Sequence, residues 1–155
     1  DTLRANAGGA AYEAIQRDEE NFIDRPNMAT ILTQEHIIKD GPIPEGAVKN
    51  IEFVPRKTGM EVEAFQIYWR DVHGPIAAEI EVIRRYVQSH TLLGGYRDGR
   101  VPAWDGCAIT WFDNVAAMRQ SAQSAAYART REDELNFLDT DKEIPFIITT
   151  EHVII

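Results

Sequence analysis

Apolar positions in residues 51–155 alternate between the spacing of strands and the spacing of helices. Four short runs rich in apolar and β-branched residues are typical of strands: 51–55, 85–93, 106–112 and 145–155. Between the first two runs, apolar residues recur at helical spacing: Val62, Phe65, Trp69 and Val72. A second helix is predicted from 113 to 136, with a break near 121–124. The order β-α-β-β-α-β predicts an α+β domain with the ferredoxin-like arrangement.

The ends of these helices also have sequence signals. Thr58 and Glu61 have the spacing of a capping box, which predicts the start of the first helix. The pair Gly74 and Pro75 is expected to stop that helix just after His73, because proline lacks an amide hydrogen and restricts the residue before it. Later apolar residues predict a short helical turn beyond this stop: Ile76, Ile80 and Ile83. Asp113 or Asn114 is expected to cap the second helix.

Two of the predicted strands, 106–112 and 146–155, are apolar on both sides. A four-stranded antiparallel sheet with both helices on one face leaves its other face bare, so the apolar residues there need cover. A second sheet is the natural partner. We therefore predict a dimeric α/β barrel, in which the second sheet comes from another copy of the chain or from a tandem repeat.

The two ends of the chain are copies of one helix-plus-strand segment, residues 2–38 and 117–154. At a shift of 115 positions, ten residues between 2 and 24 are identical to their counterparts. One position further on, Glu35 and His36 match Glu151 and His152. A period this long indicates duplication of a whole domain. We predict that residues 1–40 are the last helix and strand of a first repeat, 41–50 a linker and 51–155 a complete domain of a truncated or processed two-unit protein.

Composition narrows the possible partners. The chain has 44% hydrophobic and 26% charged residues, which is ordinary for a globular protein. A net charge of −9 without a cluster of lysines and arginines argues against nucleic acid and anionic membranes as partners. Cys107 is the single cysteine, so no disulfide framework is possible. No apolar run approaches a membrane span and no targeting segment is visible, so a cytoplasmic location is the default expectation.

Five separated motifs resemble the signature of the EthD family. They are residues 65–75, 85–90, 111–113 and 133–139, and the pair Glu151 and His152. The likeness covers 48–155 in order, whereas 1–40 resemble only the C-terminal part of the family. It implies the dimeric α/β-barrel fold and a small-molecule enzyme of a catabolic or secondary-metabolic pathway. Relatives in that superfamily include isomerases, cyclases, monooxygenases and haem-degrading enzymes, so the resemblance specifies the scaffold better than the chemistry.

His73 is the leading candidate for acid/base chemistry. An imidazole titrates near neutral pH, and a position at the end of a helix would favour its cationic form. In methylmuconolactone isomerases, which this segment resembles distantly, a histidine matching His73 and a tyrosine matching Tyr86 line the catalytic pocket. A pocket cysteine of those enzymes would fall near Thr110, so the full set does not transfer. The alternative is a histidine that only bonds the last carbonyl groups of its helix.

His90 is expected to share one face of its strand with Tyr86 and Gln88. If this face turns to the helices, the three groups lie in a cleft near His73 and suit proton transfer. The alternative places His90 at a subunit or repeat interface and makes Gln88 a structural amide. We predict that five side chains bind the substrate: Tyr68, Trp69, Gln88, Trp111 and Asn136. The alternative is that these side chains belong to the core or end a helix.

These observations favour cofactor-independent proton transfer, of the isomerase, cyclase or lyase type, on a small apolar, aromatic or lactone-like substrate. One alternative is a haem- or oxygen-dependent oxidative enzyme with His73 or His90 as the proximal ligand. A non-catalytic binding or accessory protein is another. No third ligand follows Glu151 and His152, so no metal site is predicted. The chain is expected to form a homo-oligomer or to pair with a missing N-terminal fragment.

Overall fold

The computed structural model describes residues 8–154. The chain forms two compact units, of which the first ends at Thr30 and the second begins at Ile31. In the first unit, helix α1 (Ala10–Glu19) is followed by a single 3₁₀ turn (Arg25–Asn27). The Arg25 guanidinium donates to the Gln16 carbonyl oxygen and to Glu19 Oε2, both at 2.8 Å, and so ties this turn to α1. The copied segment 2–38 predicts a helix over 2–22; among the described residues this helix runs from Ala10 to Glu19, and positions 2–7 lie outside the described part of the chain.

The second unit is built on one antiparallel sheet of five strands. They are β1 (Thr33–Lys39), β2 (Val48–Val54), β3 (Arg85–Thr91), β4 (Gly106–Phe112) and β5 (Phe146–Thr149). Their spatial order is β1-β3-β4-β2-β5. The last four strands of the chain thus have the ferredoxin-like order, which confirms the predicted α+β fold. Strand β1 extends the sheet at the edge formed by β3.

The helices of this unit pack on one face of the sheet. They are α2 (Val62–Tyr68), α3 (Gly74–Ala78), α4 (Val115–Ser121) and α5 (Ala125–Glu134). Two hydrophobic clusters join them to the strands, one around Ile80, Ile83 and Phe112 and the other around Phe65 and Phe137. Among the described residues, no helix is both long enough and apolar enough to cross a membrane.

Two predicted helix boundaries are wrong. Thr58 does not cap α2, because its hydroxyl donates to Asp139 Oδ2 at 3.0 Å and Glu61 occupies the N-cap position without a side-chain bond. The pair Gly74 and Pro75 does not stop the helix either. The chain continues through a wider π-helical turn (Trp69–His73) into α3, where the proline lies in the first turn and needs no partner for an amide.

Other boundaries agree with the sequence. Asn114 caps α4 by accepting from the Ala117 amide at 2.9 Å, and Ser124 caps α5 after the predicted break. The last strand is shorter than predicted, since β5 ends at Thr149 and residues 150–154 are not part of a strand.

The face of the sheet away from the helices carries a continuous apolar row. Residues that pair across antiparallel strands share a face, and five such residues connect all five strands: Ile37, Val87, Ile109, Ile51 and Ile147. The two ends of this row are half exposed, with Ile37 at 54% and Ile147 at 50% of their full surface. Val87, near the centre of the row, is 4% exposed, so the apolar face opposite the helices is present but only its edges are open in this unit.

Candidate functional site

A cavity of about 160 Å³ lies in the second unit between the sheet and the helices. Its wall is largely apolar, with residues such as Ala77, Ile80, Phe112 and Met118. Ten polar side chains also line it: Asn50, Glu52, His73, Tyr86, Thr110, Ser121, Tyr127, Thr130, Arg131 and Glu134. A concave space that combines apolar walls with convergent polar groups is typical of sites for small ligands.

His73 lies at the end of the π-helical turn, buried in the cavity wall. Its ring centroid is 4.6 Å from that of Phe137, which limits how the imidazole can tilt. Its Nδ1 atom lies 2.9 Å from Oδ2 of Asp133 on α5. No residue in 8–154 forms a hydrogen bond with its Nε2 atom, so that nitrogen is available to a molecule in the cavity.

Asp133 holds the imidazole in one tautomer. Burial alone would raise the pKa of this carboxyl, but hydrogen bonds from Tyr68, His73 and Asn136 outweigh burial and lower it. The Tyr68 hydroxyl donates to Oδ1 at 2.8 Å and the Asn136 amide donates to the same oxygen at 3.1 Å. Since the carboxylate is ionised at neutral pH, it accepts the Nδ1 proton of His73 and leaves Nε2 as a lone-pair base.

The predicted preference of His73 for its cationic form is wrong. The helix does not end at this residue, so no helix terminus is present to stabilise a positive charge. Burial lowers the pKa of His73, and the opposing effect of Asp133 only partly compensates. The imidazole is therefore neutral at neutral pH, which is the state that can accept a proton.

Tyr86 lines the same cavity from strand β3. Gln88, fully buried, donates through Nε2 to the Tyr86 hydroxyl at 3.0 Å and to the Trp69 carbonyl oxygen at 2.8 Å. Burial raises the pKa of Tyr86, so its phenol stays protonated. Because the hydroxyl oxygen accepts from Gln88, its proton is free to be donated into the cavity. Gln88 itself has the structural role that the sequence left as the alternative.

The structure corrects the placement of His90, which does not line the cavity. Its Nε2 donates to Gln88 Oε1 at 3.0 Å, and its ring stacks on Trp69 with a centroid distance of 4.5 Å. On the other side lies His36 of β1, also at 4.5 Å. Burial, with the nearby His36 and Arg70 charges, lowers the pKa of His90 to about 3. Neutral and enclosed, His90 packs behind Trp69, which lines the cavity, and is not a free haem ligand facing it.

The predicted substrate-binding residues divide into three groups. Trp69 lines the cavity, whereas Tyr68 and Asn136 bind Asp133 instead. Trp111 lies on the opposite face of the sheet, where the Lys49 ammonium is 5.6 Å from its ring centroid, so its predicted role at this cavity is wrong. Within residues 8–154, no group of three histidine, cysteine or acidic side chains could hold a metal ion.

Sequence reasoning did not identify Asn50, Glu52 and Glu134 as cavity residues. A signal was present in β2, where Asn50 and Glu52 occupy every second position between the buried Val48 and Val54 and so share their face toward the helices. Polar side chains at inward positions of a strand are informative because they are rarely buried without a purpose. Glu134 is 6% exposed, and burial, with the charge of Glu52, raises its pKa to about 7 against the opposing effect of Arg131.

Comparisons with known proteins agree with this fold. A family model described as the EthD domain matches residues 57–141, which is more than half of the chain. Among solved structures, an ethyl tert-butyl ether D (EthD) family protein from Bacillus halodurans superposes with a TM-score of 0.54 at 17% identity, over 68% of this chain and 99% of that one. No curated protein sequence matches significantly.

Two further structures are similar to this chain. A dimeric protein of unknown function with a ferredoxin-like fold from Bacteroides fragilis has a TM-score of 0.50 at 15% identity, over 70% of this chain and 98% of that one. A hypothetical protein from Arabidopsis thaliana has a TM-score of 0.50 at 14% identity, over 75% and 93%. At such identities these likenesses show the fold alone.

Proposed function

The chain belongs to the EthD family, and from this premise we propose that it catalyses proton transfer on a small molecule held in the cavity. The observation that carries the proposal is the buried pair of His73 and Asp133, which lines a partly open cavity with apolar walls and uses only Nδ1 of the imidazole. A positioned imidazole with a carboxylate behind it is the usual arrangement of a general base.

The chemistry follows from the groups around the cavity. Nε2 of His73 takes a proton from carbon next to a substrate carbonyl, and Asp133 stabilises the imidazolium that forms. Tyr86 donates its phenolic proton as a hydrogen bond to the carbonyl oxygen, where negative charge develops. Return of the proton to another atom gives isomerisation, and loss of a leaving group gives elimination. None of these steps calls on a cofactor.

The size of the cavity limits the substrate. An engineered protein cavity of about 150 Å³ binds benzene, so a space of about 160 Å³ suits a single ring. We propose a small cyclic ketone, lactone or aromatic compound as the substrate class, in line with the apolar wall around Ile80 and Phe112.

The test is hydrogen exchange in D₂O, followed by proton NMR, with cyclopentanone, cyclohexanone and γ-butyrolactone as probes. We expect the protein to accelerate loss of the protons next to the carbonyl. Because burial keeps the pKa of His73 below its ordinary value of 6.5, the rate should fall at acidic pH with a midpoint below 6.5. A midpoint above pH 6.5, or binding of these rings without any acceleration, would contradict the proposal.

We also propose that the apolar row on the open sheet face is covered by a second copy of the chain. The row crosses all five strands. The similar structure from Bacteroides fragilis is described as a dimeric protein. Light scattering after gel filtration should give the mass of a dimer for the natural chain and of a monomer for Ile109→Glu, which puts a charge at the centre of the row. Val101→Glu, in an exposed loop, is the matched control and should stay dimeric. A monomeric natural chain would exclude this assembly.

The internal repeat supports a related proposal about domain organisation. The copied segments, 31–38 and 147–154, overlap with β1 and β5, which form opposite edges of the sheet. We propose that 1–40 descend from the last helix and strand of a first repeat and that 51–155 are the complete repeat.

A further inference from the structure

The cavity contains buried hydrogen-bond acceptors that no donor satisfies. Oδ1 of Asn50 and Oε2 of Glu134 are both inaccessible to solvent, and neither has a hydrogen-bond partner in the described chain. Nη1 of Arg131 is 2.6 Å from Oε2 of Glu134 but forms an ion pair outside hydrogen-bonding geometry. A buried acceptor without a donor is costly, so a ligand whose donor groups bond to these oxygens is favoured over one that has none.

These acceptors lie on the same surface as the groups of the proposed reaction. Asn50 pairs with Thr110 on the neighbouring strand, and Thr110 pairs with Tyr86 on the next, so the three side chains form a polar row across β2, β4 and β3. Glu52 lines the cavity from the following inward position of β2. A ring whose carbonyl oxygen meets Tyr86 therefore directs its other substituents toward the acceptors.

The charges around the cavity disfavour an anionic ligand. Two carboxyl groups line it, Glu52 and Glu134, and their mutual repulsion adds to the burial that raises the pKa of Glu134 to about 7. Arg131 is the one arginine or lysine side chain that lines the cavity among residues 8–154, and it is already paired with Glu134. A ligand carboxylate would have to be buried beside these groups without a free cation.

We infer that the cavity selects a neutral single ring that carries hydrogen-bond donors, such as hydroxyl groups, and rejects rings that carry a carboxylate. The inference rests on the proposed function for the position of the ring and adds the class of its substituents. Asn50 and Glu134 are the residues that determine this preference.

The experiment compares benzamide with benzoate, which have nearly the same shape but differ in donors and charge. Each is titrated into the full chain at neutral pH and followed by NMR, with phenol as a second ring that has a donor. We expect benzamide and phenol to bind at least about tenfold more tightly than benzoate, since each unmet buried acceptor typically costs this much or more in affinity. Equal or tighter binding of benzoate overturns the inference.

Two variants assign the preference to residues. Asn50→Leu removes an acceptor at similar volume, and Glu134→Gln replaces a carboxylate by an amide; each should reduce the preference for benzamide by at least about fivefold. Cys107→Ala, on the other face of the sheet, is the control and should leave the preference unchanged. A preference that survives both cavity variants overturns the assignment. The comparison in the natural chain does not depend on these variants folding.

The outcome is separable from that of the proposed function. His73→Gln should abolish exchange in D₂O but keep the preference for benzamide, because neither Asn50 nor Glu134 bonds to His73. If the natural chain prefers benzamide yet exchanges no proton, the proposed function fails and the ligand class stands. If it exchanges protons and binds benzoate equally well, the ligand class fails and the proposed function stands.

Discussion

Replacing His73 by glutamine is expected to lower the rate of proton exchange in the cavity by about 100- to 10,000-fold, the contribution of a positioned general base. Glutamine has a similar reach, and its amide can still donate to Asp133, but it has no atom that accepts a proton near neutral pH. The measurement is the loss of the protons next to the carbonyl of cyclohexanone in D₂O, at equal concentrations of natural and variant chain.

The same substitution at an exposed histidine gives the control. His152→Gln changes an imidazole whose nearest polar contact is the Thr150 hydroxyl at 3.4 Å, and it should exchange protons at the natural rate. Asp133→Asn tests the carboxylate separately, because an amide no longer fixes the tautomer with the free Nε2. A His73→Gln chain that stays folded and keeps most of the natural rate would remove His73 from the chemistry.

The sequence predicts the strands better than the helix ends, and the reason is physical. Strand β4 is observed over the predicted range. A short run of residues that is apolar on both faces can form few structures other than a strand once helices cover one side of it. The ends of α2 depend on residues far along the chain. Thr58 has the right spacing for a local cap, but its hydroxyl bonds to Asp139, which the fold brings beside it. Such competition between local and distant partners is invisible in a local pattern.

The helix around His73 shows the same limit. Gly74 and Pro75 form a typical stop signal, yet a π-helical turn carries the chain past them, and Gly74 lies close against Gln88 Nε2 and the Ile38 side chain. A glycine there is explained by this close approach, since a Cβ would lie only 3.1 Å from the Ile38 side chain. Gly74 is therefore explained by close packing against the sheet and not by the end of a helix.

The candidate site was predicted in part. The distant resemblance to methylmuconolactone isomerases identified His73 and Tyr86, and both line the cavity. Asp133 and Glu134 stood in a repeated motif, but α5 has no apolar stripe that would show which residues face inward. Contacts with other elements decide which residue faces inward. Asp133 bonds to a histidine 60 residues earlier in the chain, and Glu134 lines the cavity. That distinction depends on tertiary contacts and cannot be obtained from helical periodicity.

Replacing Phe137 by alanine is expected to lower the free energy of unfolding by about 3–5 kcal/mol, the range for a buried phenylalanine. Phe137 is 0% exposed, and its ring lies 5.9 Å from that of Phe65, 5.5 Å from that of Tyr68 and 4.6 Å from that of His73. Its removal leaves a void that these rings cannot fill without moving. Urea denaturation, followed by tryptophan fluorescence, measures the change.

The internal repeat supplies the matched control. Phe22 is the counterpart of Phe137 in the first copy of the repeated motif, and it is 71% exposed. Its replacement by alanine should change the free energy of unfolding by no more than about 0.5 kcal/mol. Similar effects at both positions would mean that Phe137 is not enclosed as the geometry implies. A large difference would show that one motif, present twice, stabilises the fold only where its phenylalanine is enclosed by the aromatic residues of α2.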